Sequence, residues 1–309
     1  MNKTLLLASL LIPASAAFAQ SLINETFSDG NRSTVTRVDG STGTYTSLDW
    51  WSNNYTAYNA LTVANQSMTI NTYVNTASAA RHAVAHFDPV SLTTVGQSLT
   101  LSFNASFTGI TTTSTSSNAF RFGLFNNAVT NGVYYTADNQ NSATGAQGYS
   151  VRLSPYTSVA EISSRTGSPT NALLTSVGPI DNLTNLDFSG TIPSLLNDRA
   201  YSMSMKLTLE TTTQVRVTYS ILDTSSPETT SYVSSYLMPA TRLYTTFDTI
   251  GFSAYDTSAN PGVDTATLSN IQLTLTAIPE PATFAILANL AVLCLATAAR
   301  RARASRYGA

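Results

Sequence analysis

Charge is scarce in this chain. Lysine and arginine together number 15 in 309 residues, against 17 aspartates and glutamates. A partner built of polyphosphate demands a dense positive surface, so nucleic acid is excluded. Cysteine occurs once, as Cys294, inside an apolar run near the C-terminus. Disulfides, cysteine nucleophiles and Cys-ligated metals are therefore ruled out for the rest of the chain. Between the ends, helical periodicity with caps is almost absent, and no repeat of fixed period argues for a β-helix or propeller.

What the sequence does have is concentrated first at its ends. The opening stretch, MNKTLLLASLLIPASAAFAQ, carries one cation at Lys3, an apolar run from Leu5 to Ile12, and the small-residue pattern Ala17-Phe18-Ala19. This is the pattern of a secretory signal peptide over residues 1–19, with cleavage by signal peptidase expected after Ala19. The apolar run is too short to span a bilayer. At the other end, residues 282–299 contain no charged side chain, and at 1.5 Å per residue they make about 27 Å of helix, enough to cross the hydrocarbon layer. Arg300, Arg301, Arg303 and Arg306 follow at once. Arginines clustered beside a span stay on the cytoplasmic side, so the bulk of the chain is expected outside the inner membrane, detained by a C-terminal helix.

Directly before that helix stands Pro279-Glu280-Pro281. Each proline fixes its own φ and disfavours helix in the residue before it, so the segment is expected to be extended. Leader, Pro-Glu-Pro, span and arginine group, in that order, resemble the PEP-CTERM family of sorted bacterial proteins over residues 278–303. The resemblance implies recognition of Pro279, Glu280 and Pro281 by a membrane-embedded cysteine transpeptidase, an exosortase, with Arg300, Arg301 and Arg303 as the retention signal. Six residues, Ala304 to Ala309, run on past the arginine cluster, slightly longer than the family's usual ending. The alternative is a single-span protein whose tail is never cut.

Between these signals, residues 20–277 form one body of a size that can bury a substantial core. Setting aside Lys3 and the four tail arginines leaves ten cations, and setting aside Glu280 leaves sixteen acids, a net charge near −6. Period-two alternation prevails. In QSLTLSFNASF, Leu99, Leu101, Phe103, Ala105 and Phe107 share one face, and serines, Thr100 and Asn104 the other. Residues 201–209 and 215–221 repeat the pattern on either side of Thr211–Thr213, as a hairpin does. Further strands are expected over 22–27, 61–64, 67–74, 82–87, 120–125, 149–153, 247–254 and 266–276, with turns at Asp29-Gly30, Asp39-Gly40, Asn131-Gly132 and Pro261-Gly262. The fold class that follows is all-β, two antiparallel sheets packed face to face. The first and last strands are expected to pair. With FRFGLFNN and IGFSAYD, the pattern is similar to the concanavalin-like jelly-roll domains of exported bacterial proteins.

Chemistry is thin. A glycosidase on such a sandwich needs two carboxylates about 5–10 Å apart, and no acidic pair stands at i,i+2 or i,i+4 on a predicted strand. The Glu-x-Asp-x-x-Glu pattern of jelly-roll glycosidases is missing. His82 and His86 would face one metal on a helix, but RHAVAHFD reads as strand, which sets them about 13 Å apart on one face. Trp50, Trp51 and Tyr55 in LDWWSNNYTAY are the candidates for a sugar-stacking surface, although neighbours on a strand point opposite ways, which leaves at most one tryptophan free. Asp256 and Asp264 are the carboxylates at which a structural Ca²⁺ would be sought; no other metal and no cofactor is expected. The hydroxyl-rich middle, with TTTSTSS at 111–117, fits solvent-facing strand positions or acceptors of O-linked sugar. The reading is an exported surface or matrix protein with a structural or polysaccharide-binding role and no catalysis. The alternative is a polysaccharide lyase or hydrolase on the same scaffold.

Overall fold

The computed structural model describes residues 18–37, 43–52, 61–72, 81–111, 120–127, 145–155, 160–166, 174, 180–182, 194–225, 231–254, 262–278 and 297. The leader up to Ala17, the Pro-Glu-Pro motif, the 282–299 span apart from Thr297, and the tail arginines lie outside them, as do Tyr55 and Asp256. Among the described residues no helix is long and apolar enough to cross a membrane.

In chain order the strands are β1 (Phe18–Glu25), β2 (Ser33–Arg37), β3 (Tyr45–Trp51), β4 (Leu61–Ala64), β5 (Ser67–Asn71), β6 (Arg81–Ser91), β7 (Ser98–Thr108) and β8 (Phe120–Asn126). They continue with β9 (Gln147–Leu153), β10 (Ala160–Thr166), β11 (Ile180–Asn182), β12 (Ala200–Thr211), β13 (Gln214–Asp223), β14 (Ser231–Leu237), β15 (Thr246–Ala254) and β16 (Thr265–Ala277). One 3₁₀ turn, Ala240–Arg242, precedes β15. The back sheet runs β1-β16-β7-β12-β13-β14 and the front sheet β3-β6-β15-β8-β9-β10-β11. β3 belongs to both, pairing with β1 and β2 at one end and with β6 at the other. The expected all-β sandwich is present.

Alternation puts one face of each sheet into a shared core. Leu99, Leu101, Phe103 and Phe107 of β7, Met203, Met205 and Leu207 of β12, and Val215, Val217 and Ile221 of β13 come from the back sheet. Ala83, Ala85, Phe122, Leu124, Val151, Ile250 and Phe252 come from the front sheet. At the centre the Phe103 ring stands edge-on to Phe122 and Phe252, with centroids 5.0 and 4.9 Å away. Such edge-to-face rings add about 1 kcal/mol per pair beyond the area they bury.

The strand expected over 22–27 starts earlier, at Phe18, because it finds a partner along its whole length. Phe18 pairs with Ala277, Ala19 with Thr276 and Gln20 with Leu275, antiparallel, so the first and last strands are neighbours as expected. Inside this seam Glu25 is fully buried. Its Oε1 accepts the Phe27 N–H and its Oε2 the Leu48 N–H, both at 2.8 Å. Burial raises its pKa above the ordinary carboxylate value, and these two donors pull it back. The carboxylate thereby ties β1 to β3 across the point where the two sheets meet, and it holds Phe27 at a φ of +53°, a left-handed conformation costly for a bulky residue.

Truncation of Phe103 to alanine removes both edge contacts and leaves a cavity between the sheets. The expected cost is about 3–5 kcal/mol, read as a lowered urea midpoint at unchanged slope.

Candidate functional site

The tryptophan pair is the first test of the sequence reading. Trp50 points into the core, fully buried between Phe27 and Phe252, with ring centroids 6.2 and 5.8 Å away. It cannot stack on a sugar. The physical reason is β3 itself: as the strand that passes between the sheets, it commits one of two adjacent indoles to the interior. Trp51 faces the opposite way, half-buried on the front sheet's outer face beside Val84, Phe125, Ala146 and Leu174.

The histidines lie on one face of β6, as a strand requires. His82 is fully buried and His86 half-buried, on the same outer face of the front sheet. His86 Nδ1 lies 2.8 Å from the Thr249 hydroxyl, which itself donates to Asp248 Oδ1 at 2.7 Å. Because the single hydroxyl proton goes to Asp248, Nδ1 must carry the hydrogen and donate. Among the described residues no three His, Cys, Asp or Glu side chains come together as a metal site. Asp264 is placed by its backbone: its N–H donates to the Thr108 carbonyl and its carbonyl accepts the Thr72 N–H. Its carboxyl lies over Gly109, where a Cβ would collide with it.

The outer face of the front sheet carries polar chemistry that alternation rules did not single out. The register lines up His82 (β6), Ser253 (β15), Arg121 (β8), Arg152 (β9) and Glu161 (β10) in one row across five strands. A second row, two residues along, reads Val84, Gly251, Gly123, Ser150 and Ser163. Gly123 is obligatory there: a Cβ would strike the Tyr149 carbonyl and the Phe125 ring. A third row contains His86, Thr249, Phe125, Gly148 and Arg165.

Nearly all of this face is shielded from water. Arg121 is 1% exposed, Arg165 3% and Arg152 7%. Arg152 forms an ion pair with Glu161, and burial lowers its pKa. Arg121 Nη1 donates to the Leu174 carbonyl at 2.8 Å and Arg165 Nε to the Ala146 carbonyl at 3.0 Å. Leu174 completes a small apolar cluster with Val84, Phe125 and Ala146, separate from the main core. From the core side, Arg242 Nη1 reaches the Ser164 hydroxyl at 2.8 Å, and the Tyr149 hydroxyl donates to the Arg242 carbonyl. The signal in the sequence was an arginine standing in mid-strand, in FRFGLF, SVRLS and ISSRT.

The back sheet's outer face is different in kind. Its rows are mostly hydroxyls and amides, such as Gln272, Ser102, Ser204 and Ser220, or Thr274, Thr100 and Thr218 with Lys206 among them. Hydroxyls pair across strands, Ser204 with Ser220 at 2.7 Å and Thr69 with Thr267 at 3.0 Å. These are the solvent-side residues that the alternating pattern foretold.

An all-β sandwich with a shielded, arginine-bearing front face is the class this geometry defines. No family model and no curated protein matches the sequence. Solved structures resemble it over most of its length. Winged bean acidic lectin, complexed with methyl-α-D-galactose, is 11% identical, over 85% of this chain and all of the lectin, with a TM-score of 0.49. The exoplasmic/lumenal domain of VIP36 in its Ca²⁺-bound form is 12% identical, over 84% of this chain and 91% of its own, with a TM-score of 0.44. The PL-14 alginate lyase of Aplysia kurodai is 13% identical over 64% of this chain and 83% of its own, with a TM-score of 0.36.

Burial lowers the His86 pKa from 6.5 to about 4, partly opposed by Asp248. The folded state thus keeps His86 neutral while the unfolded chain takes up a proton. The stability this represents is complete above pH 6.5 and is lost as pH falls towards 4, by roughly 3 kcal/mol. Replacing His86 with asparagine is expected to flatten that part of the pH profile, measured as urea midpoints between pH 7 and pH 4.

Proposed function

We propose that this chain is an exported protein of the cell surface or extracellular matrix, sorted through its C-terminal segment by an exosortase. Its sandwich is a non-catalytic module that meets extracellular polysaccharide. The observation that supports the sorting reading is where the fold ends. β16 closes at Ala277, paired with Phe18 at the start of β1, and Pro279 follows two residues later in the sequence. The last strand and the Pro-Glu-Pro motif are thus separated in the sequence by Ile278 alone.

On this reading Ala17 and Ala19 direct signal peptidase. The 282–299 helix then holds the chain transiently in the inner membrane, and Arg300, Arg301 and Arg303 keep its end in the cytoplasm. Exosortase reads Pro279, Glu280 and Pro281 as an open backbone and releases the body. For the module itself, the front-sheet face favours binding over hydrolysis. The one carboxylate in its ionisable row, Glu161, is already engaged by Arg152, whereas hydrolysis needs a second, separately poised carboxyl.

Mass spectrometry of the C-terminus of the protein recovered from its own cells tests the sorting. The expected product starts at Gln20 and has lost the span and arginines, while a chain with Glu280→Ala stays full-length at that end in the membrane. A wild-type product that keeps Arg300 to Arg306 refutes sorting in favour of simple anchoring.

A further inference from the structure

The end of the sandwich at which β16 stops has a surface of its own kind. Six large apolar side chains are exposed among the described residues, and three of them, Phe18, Val95 and Ile278, meet there. Phe18 pairs with Ala277 across β1 and β16, and Ile278 is the next residue. The Ile278 side chain lies over Gly96, where a Cβ would collide with its Cδ1, and Val95 precedes Gly96 in the turn between β6 and β7. Single exposed apolar residues are ordinary, whereas a contiguous group with polar neighbours, here Gln20, Thr94 and Gln97, marks a contact surface.

The turn that carries Val95 is tied down by hydrogen bonds. Gln97 Oε1 accepts the N–H groups of Thr93 and Thr94 at 2.7 and 2.9 Å, and the Gln97 N–H donates to the Thr94 carbonyl at 2.9 Å. The Gly96 N–H donates to the Leu209 carbonyl of β12 at 2.7 Å, and the Leu209 N–H to the Gln97 carbonyl at 3.0 Å. Gly96 itself stands at φ +91°, a conformation that favours glycine, and the missing side chain is what lets Ile278 settle on the turn. An apolar tip whose backbone groups are paired within the protein gives up little by leaving water.

We propose that this end of the sandwich rests on the lipid bilayer, with Val95 and Ile278 in the headgroup layer; the step rests on the reading that residues 282–299 hold the chain in the membrane. Chain length argues for it. From Ile278 to Ala282 the extended backbone reaches at most about 14 Å. The headgroup layer on each side of the hydrocarbon is itself about 5–8 Å thick. No deep cushion of water fits between body and lipid, and the side chains nearest the exit point are the apolar ones. On the same reading, cleavage after Ala19 removes Phe18, so Val95 and Ile278 make the contact in the exported chain. Docking then keeps Pro279, Glu280 and Pro281 at the depth where a membrane-embedded enzyme works.

The test uses the chain expressed with its leader in a host without exosortase, recovered from membranes and placed in nanodiscs of phosphatidylethanolamine and phosphatidylglycerol. Cys294→Ser removes the native thiol, and a fluorophore is attached at Val95→Cys or, as the reference, at Ser28→Cys, exposed beyond the far end of β1. At position 95 the fluorophore is expected to be quenched by nitroxide-bearing lipid and to lose its quenching by aqueous iodide; at position 28 the reverse holds. Adding Ile278→Asp, with the melting temperature kept, is expected to return position 95 to the pattern of position 28. A chain that enters the nanodisc but gives the pattern of position 28 at position 95 overturns the docking and leaves the membrane-held reading standing. Lipid quenching at 95 that is unchanged by Ile278→Asp also overturns the docking, since the label then enters lipid without the patch. A chain that is not recovered with the membrane overturns both.

Discussion

Everything in this molecule depends on apolar contact between two sheets. There is no disulfide to restrain the unfolded chain, and charged side chains are few. Burial of alternating side chains must therefore carry the stability, and the phenylalanines at the centre do so with rings set edge to face. The same economy of charge explains why the few buried ionic groups matter. Glu25 is accepted into the interior because two backbone N–H groups donate to it, that of Phe27 in the turn after β1 and that of Leu48 on β3, and in return it joins β1 to β3 where the sheets converge.

How much of this could be read from the residues alone follows from how many faces of each strand are shielded. β7, β12, β13 and β16 have one dry face and one wet face, so they alternate cleanly and their positions were legible. The front sheet is dry on both sides. In β8 six of seven residues are buried, and in β9 likewise six of seven, so alternation gives way to runs in which an arginine looks out of place. β10 hides further, because its core side offers Ala160, Ile162 and Ser164, too little greasy surface to announce a strand. Trp50 and Trp51 divide as neighbours on a strand must, but which of them is committed to the core is decided by the crossing of β3 between the layers, which buries Trp50 and leaves Trp51 half-buried.

The polar face of the front sheet shares a logic with the seam at Glu25. In each, a charged side chain is made tolerable indoors by backbone groups from a distant part of the chain: Arg121 by the Leu174 carbonyl, Arg165 by that of Ala146. Such bonds are directional where hydrophobic contact is not, so they fix which segments come to rest over the sheet. On the outer face of the back sheet, hydroxyls instead pair with one another across strands, as Ser204 does with Ser220.

The pairing of the two termini has a temporal corollary. The bond between Ala19 and Gln20 lies within the ladder, opposite Thr276 and Leu275. A peptidase takes its substrate as a free extended segment, and a peptide already hydrogen-bonded into a sheet is closed to it. Yet β16 is the last strand to be synthesised, and closing a ring of some 250 residues is the slowest contact the fold must make. The late arrival of the partner strand leaves the edge of β1 unpaired until the rest of the body has assembled.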